Sequence, residues 1–334
     1  MSDKAIADLG NKYHEWLRKH PHCETDFANT IEDLLNDAGI TFDRVQTRIK
    51  TWPSLKEKAR KKNSDGTYVY PDPWNSIHDI IGIRVITYNS TEIPRAIEAL
   101  SRSFTMLRSV DKAAETRVSG DFGYGSHHLI LKVDEHTEGL EDYDREIAEV
   151  QIRTILQHAW AEFEHDIRYK RGTKDLDPQV DRAFTLAAGL IELADQQFDK
   201  IAALRSPEIA PADDVELIQE TLPGILTILL GARYPLSRSD HYHWLFQLLN
   251  ANGLTTVAEL KELVDENDIS RLRSKIEYRY KPGQVRIIDD LLLLRFGTEH
   301  IERTKKLGHS AERRAKRLKQ RLRALGKESR KPLS

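Results

Sequence analysis

The hydrophobic pattern of the chain changes period sharply between residues 146 and 170. Val150 and Ile152 fall on one side of an alternating run, and Glu149, Gln151 and Arg153 on the other. That is the period of a strand with one buried face. From Thr154 the spacing becomes helical, with Ile155, Ala159, Phe163 and Ile167 about four apart and Trp160 beside them. The pattern predicts a strand running straight into an amphipathic helix. Strand-like runs also occupy 81–88 and 128–133. Helical periodicity covers 3–38 with a break at Pro21, 91–107, and 179–204. A Pro-rich stretch, 206–214, reads as a linker. Beyond it the chain reads as all-helical, over 215–230, 241–249, 257–264, 269–278 and 284–296, ending in a basic helix at 299–325. The expected division is 1–205, a linker at 206–214, a helical domain at 215–300 and a basic tail at 301–334.

Composition narrows this picture. The 334 residues are enough for one large or two medium domains. Charged residues make 31% and hydrophobic ones 39%, a soluble globular balance. Cys23 is the only cysteine, which excludes a disulfide or a cysteine-based zinc site within one chain. The N-terminus lacks a signal pattern, and no run approaches the length of a membrane span, so a cytoplasmic protein without membrane contact is expected. The net charge of -2 hides an asymmetry, because residues 301–334 carry 13 Lys+Arg against 3 Asp+Glu. Such a tail suits an anionic partner such as RNA, and equally a solvated helix.

The candidate chemistry lies in polar clusters beside the apolar runs. Arg48, Lys50, Ser54 and Lys58 are spaced two, four and four apart. With a helix starting near Pro53, Ser54 sits at its N-terminus and Lys58 one turn on, so the four can converge on one anion. A solvated basic helix fits the same residues. Asp79 stands just before the strand at 81–88, and Arg84 lies inside it. A guanidinium there needs an ion-pair partner or an open cleft. Tyr124, between Gly123 and Gly125, suits stacking on a base or packing in a turn. His158, Glu162, Glu164 and His165 share helical spacing, but HxxxExEH is not the HExxH of zinc enzymes.

Taken together these motifs resemble the alarmone synthetase domain of the RelA/SpoT family in its small stand-alone form, over roughly 30–175. Arg48-x-Lys50-x-x-x-Ser54-x-x-x-Lys58 is similar to the donor-phosphate motif, and Asp79-x-x-Gly82-Ile83-Arg84 to the metal-binding motif. Gly123-Tyr124-x-Ser126-x-His128 resembles the acceptor loop, and Glu149-Val150-Gln151-Ile152-Arg153-Thr154 the catalytic strand. The resemblance implies an α+β fold, a mixed β-sheet flanked by helices of nucleotidyltransferase-like synthetase type, ahead of the helical C-terminal region. It implies Mg²⁺-dependent transfer of the β,γ-pyrophosphate of ATP to the 3′-hydroxyl of GDP or GTP, giving (p)ppGpp and AMP. Arg48 and Arg84 would sandwich the adenine, and Lys50, Ser54 and Lys58 would hold donor phosphates. Asp79 would bind metal, with Glu149 either co-binding it or acting as base on the 3′-hydroxyl. Tyr124 would stack on the acceptor guanine, with Ser126, His128, Gln151 and His158 nearby.

Gly125 and His127 depart from the family pattern, which leaves the acceptor open among guanosine nucleotides, adenosine nucleotides and an RNA end. No hydrolase half is visible, so alarmone hydrolysis is not expected. Small members of the family often form homotetramers, so a homo-oligomer is one expectation. Two other readings stand beside this one: a toxin-like enzyme pyrophosphorylating the tRNA 3′ end with help from the basic tail, and a non-catalytic RNA- or protein-binding module.

Overall fold

The alternating runs assemble into a five-stranded sheet. In chain order the strands are β1 (Phe42–Ile49), β2 (Ile81–Thr87), β3 (Thr105–Asp111), β4 (His127–Lys132) and β5 (Ile147–Thr154). Their order across the sheet is β1-β2-β5-β4-β3. β2 and β5 run parallel and the other neighbours antiparallel, so the sheet is mixed. This computed structural model describes residues 3–112, 126–135, 137–171, 178–203, 215–308 and 311–326. The chain divides into two units, Met1–Asp33 with Phe42–Ala202, and Leu34–Thr41 with Ala203–Ser334.

In the first unit, strand alternation sorts the two faces of the sheet. Ile81, Ile83 and Val85 of β2, Leu129 and Leu131 of β4, and Ala148, Val150 and Ile152 of β5 are buried. The in-between positions Gly82, Arg84, His128, Glu149 and Gln151 are only half-buried. The apolar positions therefore form the core, and the polar ones line a partly open face.

Helices hold the ends of the strands. α1 (Asp3–Lys19) buries Ile6, Leu9 and Tyr13 in a cluster with Leu55 and Ala59 of α3 (Trp52–Ala59). The Tyr13 hydroxyl donates to the Lys50 carbonyl at 2.9 Å, which pins the turn between β1 and α3. α2 (Cys23–Asp37) and a short α4 (Pro73–Ser76) flank this region. α5 (Glu92–Ser103), with Ala96, Ala99 and Leu100 buried, packs on β3, β4 and β5. β5 passes directly into α6 (Ile155–Arg171), as its change of period predicts. α7 (Pro178–Ala203) is fastened by two aspartates. Asp195 accepts from the Thr154 hydroxyl at 2.9 Å, and Asp199 accepts from the Ser90 amide and hydroxyl at 2.8 and 2.6 Å.

The second unit is helical: α8 (Leu222–Leu230), α9 (Ser239–Ala251), α10 (Val257–Leu263), α11 (Glu266–Lys275), α12 (Gln284–Phe296), α13 (Thr298–Thr304) and α14 (Ala311–Ala324). α12 is its axis. Ile287, Ile288 and Leu291–Leu294 are all buried, as expected of a helix apolar on nearly every side. Two consecutive aspartates, Asp289 and Asp290, are buried with them. Arg314 of α14 donates to Asp289 at 2.7 Å, and Arg321 reaches Asp289 and Asp290 at 3.4 Å. Arg286, Arg317 and Arg321 all pair with Asp37, whose carboxyl pKa falls to about 2. Burial alone would push that group up, and the three guanidiniums reverse the effect. Arg314, Arg317 and Arg321, which the sequence offered for an anionic partner, are thus engaged with carboxylates of their own unit.

Four expected elements differ. The basic helix expected over 299–325 is two helices, α13 ending at Thr304 and α14 starting at Ala311. The helix expected over 91–107 ends at Ser103, and β3 takes the end of that stretch and the four residues after it. β3 is an edge strand with little burial, so its sequence shows no one-sided alternation. The helix expected from 215 starts at Leu222, because Pro223 belongs in a first turn. The one expected over 269–278 starts at Glu266, where Asp265 caps the Asn267 and Asp268 amides. Among the described residues no helix is long and apolar enough to cross a membrane.

Candidate active site

The polar face of the sheet is ordered by strand register. One row runs Arg48 (β1), Gly82 (β2), Glu149 (β5) and Ile130 (β4). The next runs Gln46, Arg84, Gln151 and His128. Five residues from four separate sequence motifs therefore meet on one surface: Arg48, Arg84, Glu149, Gln151 and His128. The side chain of Arg48 lies across Gly82, where an added Cβ would sit 3.5 Å from its Nε. A glycine at 82 leaves the guanidinium in contact with the backbone.

At the edge of this surface lies the most concentrated charge. Asp79 Oδ2 accepts from Lys50 Nζ at 2.9 Å and from Lys58 Nζ at 2.8 Å. Lys50 follows β1, Lys58 sits on α3 and Asp79 precedes β2, so the pinned β1–α3 turn brings all three together. Burial pushes the Asp79 carboxyl up, but the two ammonium groups outweigh it and hold it below the ordinary value. The other oxygen, Oδ1, is buried with no hydrogen-bond partner, an arrangement uncommon in folded proteins. Lys58 also lies over the Tyr70 ring, 5.7 Å from its centre, a neighbour the sequence did not reveal. Ser54 accepts from the Thr51 hydroxyl at 3.1 Å at the start of α3.

Glu149 has a different partner. His128 Nδ1 lies 2.9 Å from Glu149 Oε1, and His128 Nε2 lies 2.8 Å from Ser126 Oγ. The His128 hydrogen bond draws the Glu149 carboxyl below its ordinary value, while burial and the charge of Asp79 push the other way. The carboxylate is ionised at neutral pH. Ser126 and His128, which the resemblance assigns to the acceptor, are joined in this structure to Glu149.

On the far side, Arg84 Nη1 donates to Glu162 Oε1 on α6 at 2.7 Å. His158 lies one turn before, its Nδ1 3.8 Å from the same oxygen. Burial, reinforced by Arg153, pushes the His158 imidazole below its ordinary value, so it is neutral at pH 7. Arg153 is buried and donates to Gln151 Oε1 at 2.6 Å, with its Nε unpartnered. Sequence reasoning considered Glu162 only as a metal ligand and overlooked its pairing with Arg84. Its place four residues after His158, on the face turned to the strand, was the available signal. Tyr124, with Gly123 and Gly125, lies outside the described residues.

The donor set fits a hard divalent cation completed by phosphate oxygens and water. Asp79 offers a buried oxygen with no other partner, and Glu149 is a second ionised carboxylate. Among the described residues no three His, Cys, Asp or Glu side chains gather to hold a metal unaided. Two carboxylates suit Mg²⁺, which keeps waters and takes substrate phosphates.

Residues 47–174 match the region found in RelA / SpoT proteins. This stretch is a RelA/SpoT region. It contains every residue of the surface just described except Gln46. The GTP pyrophosphokinase YwaC of Bacillus subtilis strain 168 is 28% identical over 156 residues, which are 47% of this chain and 71% of that protein. The GTP pyrophosphokinase YjbM of the same organism is 31% identical over 128 residues, 38% of this chain and 56% of that protein. The solved structure of small alarmone synthetase 1 from Bacillus subtilis aligns with 58% of this chain and 97% of its own, at 22% identity and a TM-score of 0.47. The RelA/SpoT match runs from within β1 to the end of α6, and the helical unit lies outside it.

Proposed function

We propose that this chain transfers the β,γ-pyrophosphate of ATP to the 3′-hydroxyl of GDP or GTP, forming (p)ppGpp and AMP. The observation that carries the proposal is the Asp79 constellation, two ammonium groups and a carboxylate with one free buried oxygen, on the same surface as an ionised Glu149. Pyrophosphoryl transfer demands charge neutralisation and in-line positioning more than covalent chemistry. A RelA/SpoT region and two relatives named GTP pyrophosphokinase support the same reading.

In this reading Lys50 and Lys58 exchange part of their contact with Asp79 for donor phosphates, and Ser54 adds a hydrogen bond at the start of α3. Arg48 and Arg84, on adjacent strands, take the faces of the adenine. Asp79 and Glu149 would hold Mg²⁺, which neutralises charge developing on the phosphates when bound. Glu149 accepts the proton of the acceptor 3′-hydroxyl, with His128 fixing the orientation of its carboxylate. Gln151 and His158 line the acceptor side, and Tyr124 stacks on the guanine.

The test is a transfer assay with Mg²⁺ and γ-labelled ATP, offering GDP, GTP, ATP and bulk tRNA separately. Label on GDP or GTP is the expected result. Label on tRNA alone would make the chain a tRNA-modifying enzyme, and no transfer to any acceptor would leave a binding module.

A further inference from the structure

The Arg84–Glu162 pair joins the strand face to α6, and no family motif described above includes Glu162. From this geometry we infer that Glu162 is a positioning residue for the donor nucleotide, acting through Arg84. The inference rests on the reading of Arg84 as a donor-side residue.

Arg84 projects from β2 beside Gln151 of β5, and Arg153 follows Gln151 two residues on, on the same face. The two guanidiniums repel each other, and Glu162 attracts both. An unrestrained Arg84 would swing toward water, because its side chain is partly exposed and rich in rotamers. Glu162 Oε1 accepts from its Nη1 at 2.7 Å, and this contact holds the planar group in one orientation over the sheet. His158 does not compete for the carboxylate. It is neutral at pH 7 and lies at 3.8 Å, beyond hydrogen-bond range. Among the described residues Arg84 is thus the cation hydrogen-bonded to Glu162.

A guanidinium fixed in advance stacks on a base at lower entropic cost than a free one. Glu162 therefore contributes to donor affinity without touching the donor. Its own side chain is half-exposed, so replacing it leaves the core intact.

The experiment uses the full-length protein with Glu162→Ala, Glu162→Gln, Arg84→Ala and the Arg84→Ala/Glu162→Ala double variant. Two quantities are read: KM and kcat by transfer assay, and the Kd of a non-hydrolysable ATP analogue by calorimetry. Glu162→Ala is expected to raise the KM for ATP and the analogue Kd about three- to fivefold, the range of a half-exposed ion pair, with kcat and the acceptor KM little changed. Glu162→Gln keeps an oxygen that accepts from Arg84 and should recover most of the loss. In the Arg84→Ala background Glu162→Ala should add nothing. Equal effects of Glu162→Ala in both backgrounds, or an unchanged analogue Kd, would overturn the inference while leaving the proposed reaction intact. Analogue binding unaffected by Arg84→Ala would instead overturn the donor-side reading, and the role of Glu162 with it.

Discussion

Glu149 shows most clearly how strand register and neighbours set one side chain on the polar face. It lies on the polar side of a strand whose other side is core, so β5 delivers it to the open face without loss of packing. His128 holds its carboxyl below the ordinary value against the opposing pull of burial and Asp79. Glu149→Gln keeps an oxygen to accept from His128 Nδ1 and loses the ability to take a proton. The substitution should leave the circular dichroism spectrum unchanged and slow single-turnover transfer about 10²- to 10⁴-fold. An undiminished rate would remove Glu149 from the chemistry. The place of Glu149 on the polar face was legible because alternation pointed to it. The bond from His128 was not, since 21 residues separate the pair and only the β4–β5 register brings them together. Glu162 escaped for the same reason, with Arg84 78 positions away.

At the scale of elements, legibility followed burial. β5, β2 and β4 each bury one side and showed in the hydrophobic pattern. β3 has no buried side chain along its length, so its sequence carries no strand pattern. The junction of β5 with α6 was read correctly because two periods meet there. What holds α7 beside that junction was invisible in the sequence: Asp195 under Thr154, and Asp199 on Ser90. Burial raises the Asp195 carboxyl to about 6, with Asp199 and Glu192 adding to the shift and the Thr154 hydrogen bond opposing it. The folded group thus binds its proton more tightly than the unfolded one. Stability is greatest below the unfolded value, declines as pH rises toward about 6, and is level above that. Asp195→Asn retains an acceptor for Thr154 and removes the titration. Urea unfolding at pH 4 and pH 7.5 should show the variant gaining on the parent by on the order of 2 kcal/mol at the higher pH. A difference independent of pH would contradict the assignment.

At the scale of the whole molecule, one part of the division into two units was hidden in the sequence. Residues Leu34–Thr41 precede β1 yet belong to the helical unit. Asp37 explains why, since its carboxylate is shared by Arg286, Arg317 and Arg321. Separations of 249 to 284 residues leave no local pattern to read. The same contacts changed the meaning of the basic tail. Counted along the chain it is a cationic arm; in the fold, Arg314, Arg317 and Arg321 are counter-ions of Asp37, Asp289 and Asp290, a role for which arginine's planar fork is suited. The chemistry proposed here belongs entirely to the RelA/SpoT region of the first unit.

The proposed transfer breaks the bond between the α- and β-phosphates of ATP. The most direct measurement runs two parallel reactions with GDP and Mg²⁺, one with α-labelled and one with γ-labelled ATP, and separates the products. The α-label is expected only in AMP and unreacted ATP, and the γ-label only in the guanosine product and unreacted ATP. Label from the α-phosphate on the acceptor, or γ-label released as inorganic phosphate with none on GDP, would contradict it.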